Sequence, residues 1–184
     1  MGTIKVHEFT TLDGVVDAPT WTSGFGFDPR MGQAIGELMG GCSAILLGRT
    51  TYEMFEPAWS VRSAEDDPGA PFMNDSTKYV VSSTLREPTW RNTELVGAYD
   101  PGTIRRIKDE VDGGVYVSGS STLVRALIAD GLVDELHLFV YPITRAAEPR
   151  LFPDAVTTWA LTGHDAYDNG VLYLTYAPAV AAAS

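Results

Sequence analysis

Alternating strand and helix periods, a late change to strict period-two alternation, and an Asn-Gly turn near the end predict an α/β chain. The expected architecture is a mostly parallel sheet flanked by helices and finished by a C-terminal antiparallel hairpin. Three strand ends share one design, an apolar run that breaks into glycine or hydroxyl residues before a helix or turn. They are Gly48-Arg49-Thr50-Thr51, Ser82-Ser83-Thr84 and Gly119-Ser120-Ser121-Thr122.

The chain opens with alternation over residues 3 to 10, a strand. Asp28-Pro29 reads as an N-cap with proline in the first helical position, and Met31, Ala34, Ile35, Leu38 and Met39 follow at helical spacing until Gly40-Gly41. Ala44 to Leu47 is a short buried strand, and a second, shorter helix is expected from Tyr52. Residues 58–76 hold Glu65-Asp66-Asp67 and the breakers Pro68, Gly69 and Pro71, and are expected to form a long surface loop. Lys78 to Ser82 resumes as a strand, and a weaker one near Glu94 to Val96 precedes a second Asp-Pro helix start at Asp100-Pro101. Ile104, Ile107 and Val111 mark the buried face of that helix. Gly114 to Ser118 is the next strand, and Leu123, Val124, Leu127 and Ile128 form the stripe of the helix after it, closed by Gly131.

From Leu136 the period becomes two, with Leu138 and Val140 on one face and His137, Phe139 and Tyr141 on the other, until Pro142. Alternating runs at 156–165 and 171–176, joined through Asp168-Asn169-Gly170, supply the hairpin. Residues 1–177 are expected to form one domain and residues 178–184 a frayed tail.

The 184 residues carry 13 Lys and Arg against 24 Asp and Glu, a net charge of -11. That sign argues against nucleic acid as a partner, because phosphate neutralisation needs a basic surface. A lone cysteine, Cys42, precludes an internal disulfide and fits a reducing, cytoplasmic setting. No stretch is apolar enough to cross a membrane and the N-terminus has no export pattern, so no membrane partner is expected. His7, His137 and His164 lack metal-ligand spacing and are expected in packing roles, with no metal site.

The three strand ends describe a cradle for a dinucleotide. Small residues admit backbone N–H groups to a phosphate, hydroxyls add donors, helix N-termini add partial positive charge, and Arg49 can grip phosphate bidentately. The Rossmann pattern G-x-G-x-x-G is absent, so the arrangement must be a different one.

Gly48-Arg49-Thr50-Thr51-Tyr52-Glu53, the run Lys78 to Leu85, and the block from Gly119 through Leu132-Val133-Asp134-Glu135 to Leu151-Phe152-Pro153 resemble the dihydrofolate-reductase-like superfamily. Within it the chain is similar to the bacterial bifunctional deaminase-reductase C-terminal domain, a riboflavin-pathway reductase, in stand-alone form. The resemblance implies NADPH lying across the strand ends. Gly48, Arg49 and Thr50 would hold phosphate, Ser82 and Ser83 the adenosine 2′-phosphate side, and Gly119, Ser120, Ser121 and Thr122 the pyrophosphate from the opposite helix. Phe9 and Thr10, with Val117 and Ser118, would lie near the nicotinamide. Arg86 is either a further 2′-phosphate ligand or a solvated surface arginine.

Asp13, in Thr11-Leu12-Asp13-Gly14, matches the family's Asp-Gly turn and is either a catalytic group that orients substrate and shuttles a proton, or a turn former. Asp28 stands where dihydrofolate reductases carry a pterin-binding acid, and is also an excellent helix cap. Trp21, Phe25 and Phe27 either wall a flat heterocycle or pack their own loop. Where relatives carry a glycine-rich loop after Pro142, this chain has Ile143-Thr144-Arg145-Ala146-Ala147-Glu148-Pro149. The resemblance implies hydride transfer to a heterocycle of the 5-amino-6-(5-phosphoribosylamino)uracil or pterin type, in a homodimer paired through Leu136 to Tyr141 or through the final hairpin. The altered loop leaves open a second reading, a binding protein that keeps the fold without hydride transfer.

Overall fold

The computed structural model describes residues 2–16, 19–152 and 156–179. Eight strands form one sheet: β1 (Thr3–Thr11), β2 (Cys42–Gly48), β3 (Thr77–Val81), β4 (Thr93–Gly97), β5 (Gly114–Ser118), β6 (Glu135–Tyr141), β7 (Trp159–Ala166) and β8 (Leu172–Pro178). Their order is β4-β3-β2-β5-β1-β6-β8-β7, parallel from β4 through β6 and antiparallel across β8 and β7. The helices are α1 (Pro29–Gly40), α2 (Arg49–Trp59), α3 (Ala70–Asp75), α4 (Pro101–Glu110) and α5 (Ser121–Ala129), with a 3-10 turn at Thr20–Phe25.

Strand periodicity assigns the two faces. Ile4 and Val6 of β1, Leu46 of β2, and Val115 and Val117 of β5 pack with Ile104 and Ile107 of α4 and with Leu123, Val124 and Leu127 of α5. The intervening residues Ile45, Leu47 and Tyr116 share a cluster with Leu38 of α1, Tyr52 of α2 and Met73 of α3. Farther along that opposite face Phe139 and Tyr141 of β6 pack with Trp21, Met31 and Tyr167.

Both Asp-Pro starts fold as capped helices. The Asp28 carboxylate accepts the Arg30 N–H at 2.9 Å, and Asp100 accepts the Thr103 N–H at 2.7 Å. The second helix starts at Arg49, three residues before the expected Tyr52, because Gly48 is extended (φ -80, ψ 159) and serves as its cap.

The expected surface loop over 58–76 is corrected. α2 runs to Trp59, α3 occupies Ala70–Asp75, and Ala70, Met73 and Asn74 are buried. Two non-local anchors make this possible. Lys78 is wholly buried, and its ammonium donates to the carbonyls of Met73, Asn74 and Ser76 at 3.1, 3.1 and 2.8 Å while lying over the Trp90 ring. It thereby satisfies carbonyls at the end of α3. Asn74 donates to the Trp59 and Arg62 carbonyls and accepts the Trp90 indole N–H at 2.7 Å.

The first hairpin strand begins at Trp159, not at residue 156, and Ser82 lies just beyond β3. Ala179 donates its N–H to the Thr158 carbonyl, so Pro178 and Ala179 close the hairpin; the rest of the expected tail, 180–184, lies outside the described residues, as does Pro153 of the Leu-Phe-Pro motif.

The chain passes from β1 through α1 to β2, grows outward through β3 and β4, and returns through α4 to insert β5 between β2 and β1. The carboxyl ends of β2, β5 and β1 therefore stand side by side, with α2 and α5 starting from the first two. That is where an open α/β sheet leaves a crevice.

Candidate active site

A cavity of ≈ 590 Å³ occupies this crevice, a volume ordinary for a small-molecule site. Its walls are the end of β1 with Glu8 and Phe9, the start of α2 from Gly48 to Thr51, and the turn from Ser118 to Leu123 into α5. Val16, Pro19, Met54, Phe55, Val81, Tyr99 and Ala126 complete the lining.

The two helix starts are stitched to each other. The Gly48 N–H donates to Ser120 Oγ at 2.9 Å, and the Ser120 N–H donates to Thr51 Oγ1 at 2.9 Å. Gly119 and Ser120 both adopt left-handed angles, φ 60 and φ 61, which turn the chain back toward α2. A Cβ on Gly119 would meet Thr51 Cγ2 at 3.3 Å, so glycine suits both the angle and the space. Gly48 has no side chain with which to cap α2, and the Ser120 hydroxyl is engaged across the gap, so neither α2 nor α5 has a side-chain cap on its own N-terminus. Two sets of first-turn N–H groups, with their positive partial charge, face one cavity.

Arg49 is half-exposed at this rim. It donates to Glu53 at 2.8 Å and to Thr84 Oγ1 at 2.7 Å, tying α2 to the turn after β3. Ser82 supports that turn by accepting the Thr84 and Leu85 N–H groups, while Ser83 and Arg86 are exposed.

Of the anticipated cofactor ligands, Phe9, Gly48, Arg49, Thr50, Ser118, Gly119, Ser120, Ser121 and Thr122 are brought together on the cavity wall. Thr10 and Val117 are buried in β1 and β5 without lining it, and Ser82, Ser83 and Arg86 stand outside, in the stretch whose Thr84 bonds Arg49.

Asp13, Asp28, Trp21, Phe25 and Phe27 also do not line the cavity. Asp13 accepts the Thr11 hydroxyl at 2.6 Å and the Ala146 N–H at 2.7 Å, with the Arg145 N–H at 3.2 Å. These bonds hold its pKa down at about 2 and pin the 143–149 loop, whose Ala146 takes a positive φ of 50. Asp28 caps α1 and pairs with the Arg30 guanidinium at 2.9 Å, which lowers its pKa. Trp21 and Phe25 pack edge-on against Tyr141, and Phe27 is 62% exposed beside Gly32.

The residue that motif reading passes over is Glu8. It continues the Ile4–Val6 alternation onto the covered face of the sheet, is 3% exposed, and has its pKa raised by burial to about 8. The signal lay in the sequence as a carboxyl at an apolar-face position of an otherwise apolar strand. Its neighbours on β1 and β6, His7 and His137, sit in register on the other face, bonded to the Tyr116 and Tyr173 hydroxyls at 2.7 Å each. Burial lowers both imidazole pKa values, His7 to about 3. Among the described residues no cluster of side chains could hold a metal ion, and no helix is long and apolar enough to cross a membrane.

Sheet order, antiparallel closing hairpin and a cavity between two facing helix starts define a dihydrofolate-reductase-like protein. Residues 3–173 match the family model of the RibD C-terminal domain, and the chain belongs to that family. A putative riboflavin biosynthesis protein from Shewanella sp. PV-4 is similar in structure, with a TM-score of 0.78 and 17% identity over 98% of this chain and 100% of that one. RibD from Acinetobacter baumannii aligns with a TM-score of 0.67 and 15% identity over 97% of this chain and 58% of its own. Dihydrofolate reductase from Enterococcus faecalis, solved with NADP(H) and RAB-propyl, gives 0.62 and 16% identity over 97% and 98% of the two chains. No curated protein matches the chain. Its family and fold are those of reductase domains of the riboflavin-pathway type.

Proposed function

We propose that the protein is an NADPH-dependent reductase acting on a C=N or C=O bond of a small heterocycle of the 5-amino-6-(5-phosphoribosylamino)uracil or pterin kind. The observation that carries this reading is the pair of uncapped helix N-termini, those of α2 and α5, facing one cavity with Arg49 at its rim. Backbone N–H groups of Thr50, Thr51, Ser121 and Thr122, with the Arg49 guanidinium, suit a pyrophosphate. Thr84, bonded to Arg49, with Ser83 and Arg86 exposed beside it along the chain, would suit a terminal 2′-phosphate. Phe9 and Val16 supply apolar surface at the β1 end, where a nicotinamide ring would be shielded from water.

The cofactor supplies the hydride. The chain's own part would be to fix the phosphates at the helix starts and to keep the β1 end dry around the ring. The test is fluorescence titration with NADPH and NADH, followed by cofactor oxidation against a panel of uracils and pterins. Saturable NADPH binding with turnover supports the reading. No saturable binding refutes it, and binding without turnover across the panel favours the fold-retaining binding protein instead.

We also propose pairing of two copies through the C-terminal hairpin. β6 is interior to the sheet, whereas β7 forms its edge and the hairpin exposes Leu161 and Leu172. Light scattering of the parent and of Leu161→Lys reads this directly, the variant being expected as a monomer; two unchanged masses would refute it.

A further inference from the structure

Among the described residues Glu8 is a carboxyl with an unpartnered oxygen in the wall of a cavity. Alternation along β1 puts it on the face covered by α4 and α5, at the end of the cavity shared with Phe9 and Ser118. It is 3% exposed, and its Oε1 is buried and meets no hydrogen-bond partner among the described residues. A buried polar atom left unpaired weakens the fold, and in a cavity wall a ligand is what completes it.

We infer that the Glu8 carboxyl pairs with the carboxamide or lactam edge of the ring that occupies the β1 end of the cavity, an inference that rests on the reductase reading above. A protonated carboxyl sets an O–H donor beside a C=O acceptor, the complement of H–N–C=O, so one encounter closes two hydrogen bonds. An ionised carboxyl only accepts, and would lose the bond to the ring carbonyl. Burial keeps the proton on Glu8 up to about pH 8.

The charged and titratable groups facing it are few. α2 presents Arg49 and the chain ahead of α4 presents Tyr99; from α5 the lining is Ser121, Thr122, Leu123 and Ala126, from the segment after β1 it is Val16 and Pro19, and the β6 partner in register is Leu138. Tyr116 of β5 also lies within electrostatic range, but its hydroxyl stays neutral because burial raises its pKa. No carboxylate other than Glu8 lines the cavity among the described residues.

Two ring sources carry this edge, the nicotinamide carboxamide of the dinucleotide and the lactam of a uracil-type substrate. The experiment measures binding of NADPH, of adenosine 2′,5′-bisphosphate, which lacks the ring, and of uracil. The proteins are the parent, Glu8→Leu and Glu8→Gln, at about pH 7 and about pH 9. Glu8→Leu should weaken the ring-bearing ligand about tenfold, the worth of two lost hydrogen bonds, and leave the bisphosphate unchanged. A loss confined to NADPH assigns the pair to the nicotinamide, and one confined to uracil assigns it to the substrate.

Glu8→Gln presents the same donor beside the same acceptor, so it should bind as the parent does at the lower pH and keep that affinity at the higher one, where the parent loses it. Unchanged NADPH and uracil binding in Glu8→Leu would overturn the inference, and so would equal pH dependence of parent and Glu8→Gln. Failure of the parent to bind both NADPH and the bisphosphate would overturn the cofactor reading instead; the uracil arm then decides Glu8, and binding there that is insensitive to Glu8→Leu overturns it.

Discussion

Replacing Glu8 by glutamine should make the protein more stable, by an amount that depends on pH. In the unfolded chain this carboxyl titrates near 4.5, and in the fold burial moves it up to about 8. The folded pKa is the higher one, so the preference of the fold for the protonated group is intact in acid. It is lost progressively as pH rises through the interval, because the unfolded chain ionises first. Each pH unit above the unfolded midpoint costs the fold about 1.4 kcal/mol. At neutral pH Glu8 thus destabilises the protein by about 3 kcal/mol, rising toward about 5 kcal/mol above pH 8. Glutamine has nearly the same shape and never ionises, so Glu8→Gln and parent should be equally stable below about pH 4.5 and diverge above it. Urea unfolding followed by tryptophan fluorescence at about pH 5, 6, 7 and 8 reads the difference, with the midpoint moving at constant slope. A stability difference that does not change with pH refutes the buried, protonated Glu8.

Arg49→Ala should weaken NADPH about tenfold with no change in melting temperature, because its phosphate-facing donors are charged while its ion pair with Glu53 is exposed; an unchanged dissociation constant rejects the phosphate role. Lys78→Ala removes the donor to three backbone carbonyls, two of them in buried bonds, and should destabilise the protein by about 3 kcal/mol, with limited proteolysis appearing first between residues 58 and 76. Asp13→Ala should free the 143–149 loop, seen as faster amide exchange at Arg145 and Ala146, and the parent should show the same loosening only as pH falls below about 4 toward the depressed carboxyl pKa. Gly119→Ala places a Cβ against Thr51 at a positive φ and should cost about 1 kcal/mol of stability while weakening NADPH; unaltered affinity would detach this turn from the site.

The sequence made local grammar legible and non-local grammar opaque. Strand alternation, the two Asp-Pro caps and the Asn-Gly turn each act within a few residues, and the corresponding elements fold within a residue or three of where those signals place them. Residues 58–76 read as loop because their order comes from Lys78 and Trp90, which lie outside the segment. Within the site, the hydroxyls at Thr51 and Ser120 look like ordinary caps, and only the sheet order shows that each bonds across to the other helix start. Glu8 went unread for a different reason: its alternation was visible, but a carboxyl between histidine and phenylalanine on a strand has no motif to announce it.

The four longer helices divide by how they begin, and that division locates the site in a chain of net charge -11. α1 and α4 start with an aspartate whose carboxylate accepts a first-turn N–H, followed by a proline that has none to offer. Their N-termini carry their own anion and have little left for another. α2 and α5 start from Gly48 and Ser120, where no carboxylate caps the turn and the hydroxyls are used between the helices. An acidic protein needs few basic residues to hold an anion if backbone N–H groups do most of the work, and here Arg49 alone among the described cavity residues adds a full positive charge. Selectivity then follows from Glu8, the one carboxyl among the described lining residues. A ligand whose negative charge lies at the helix starts and whose neutral ring reaches Glu8 uses both features of the lining.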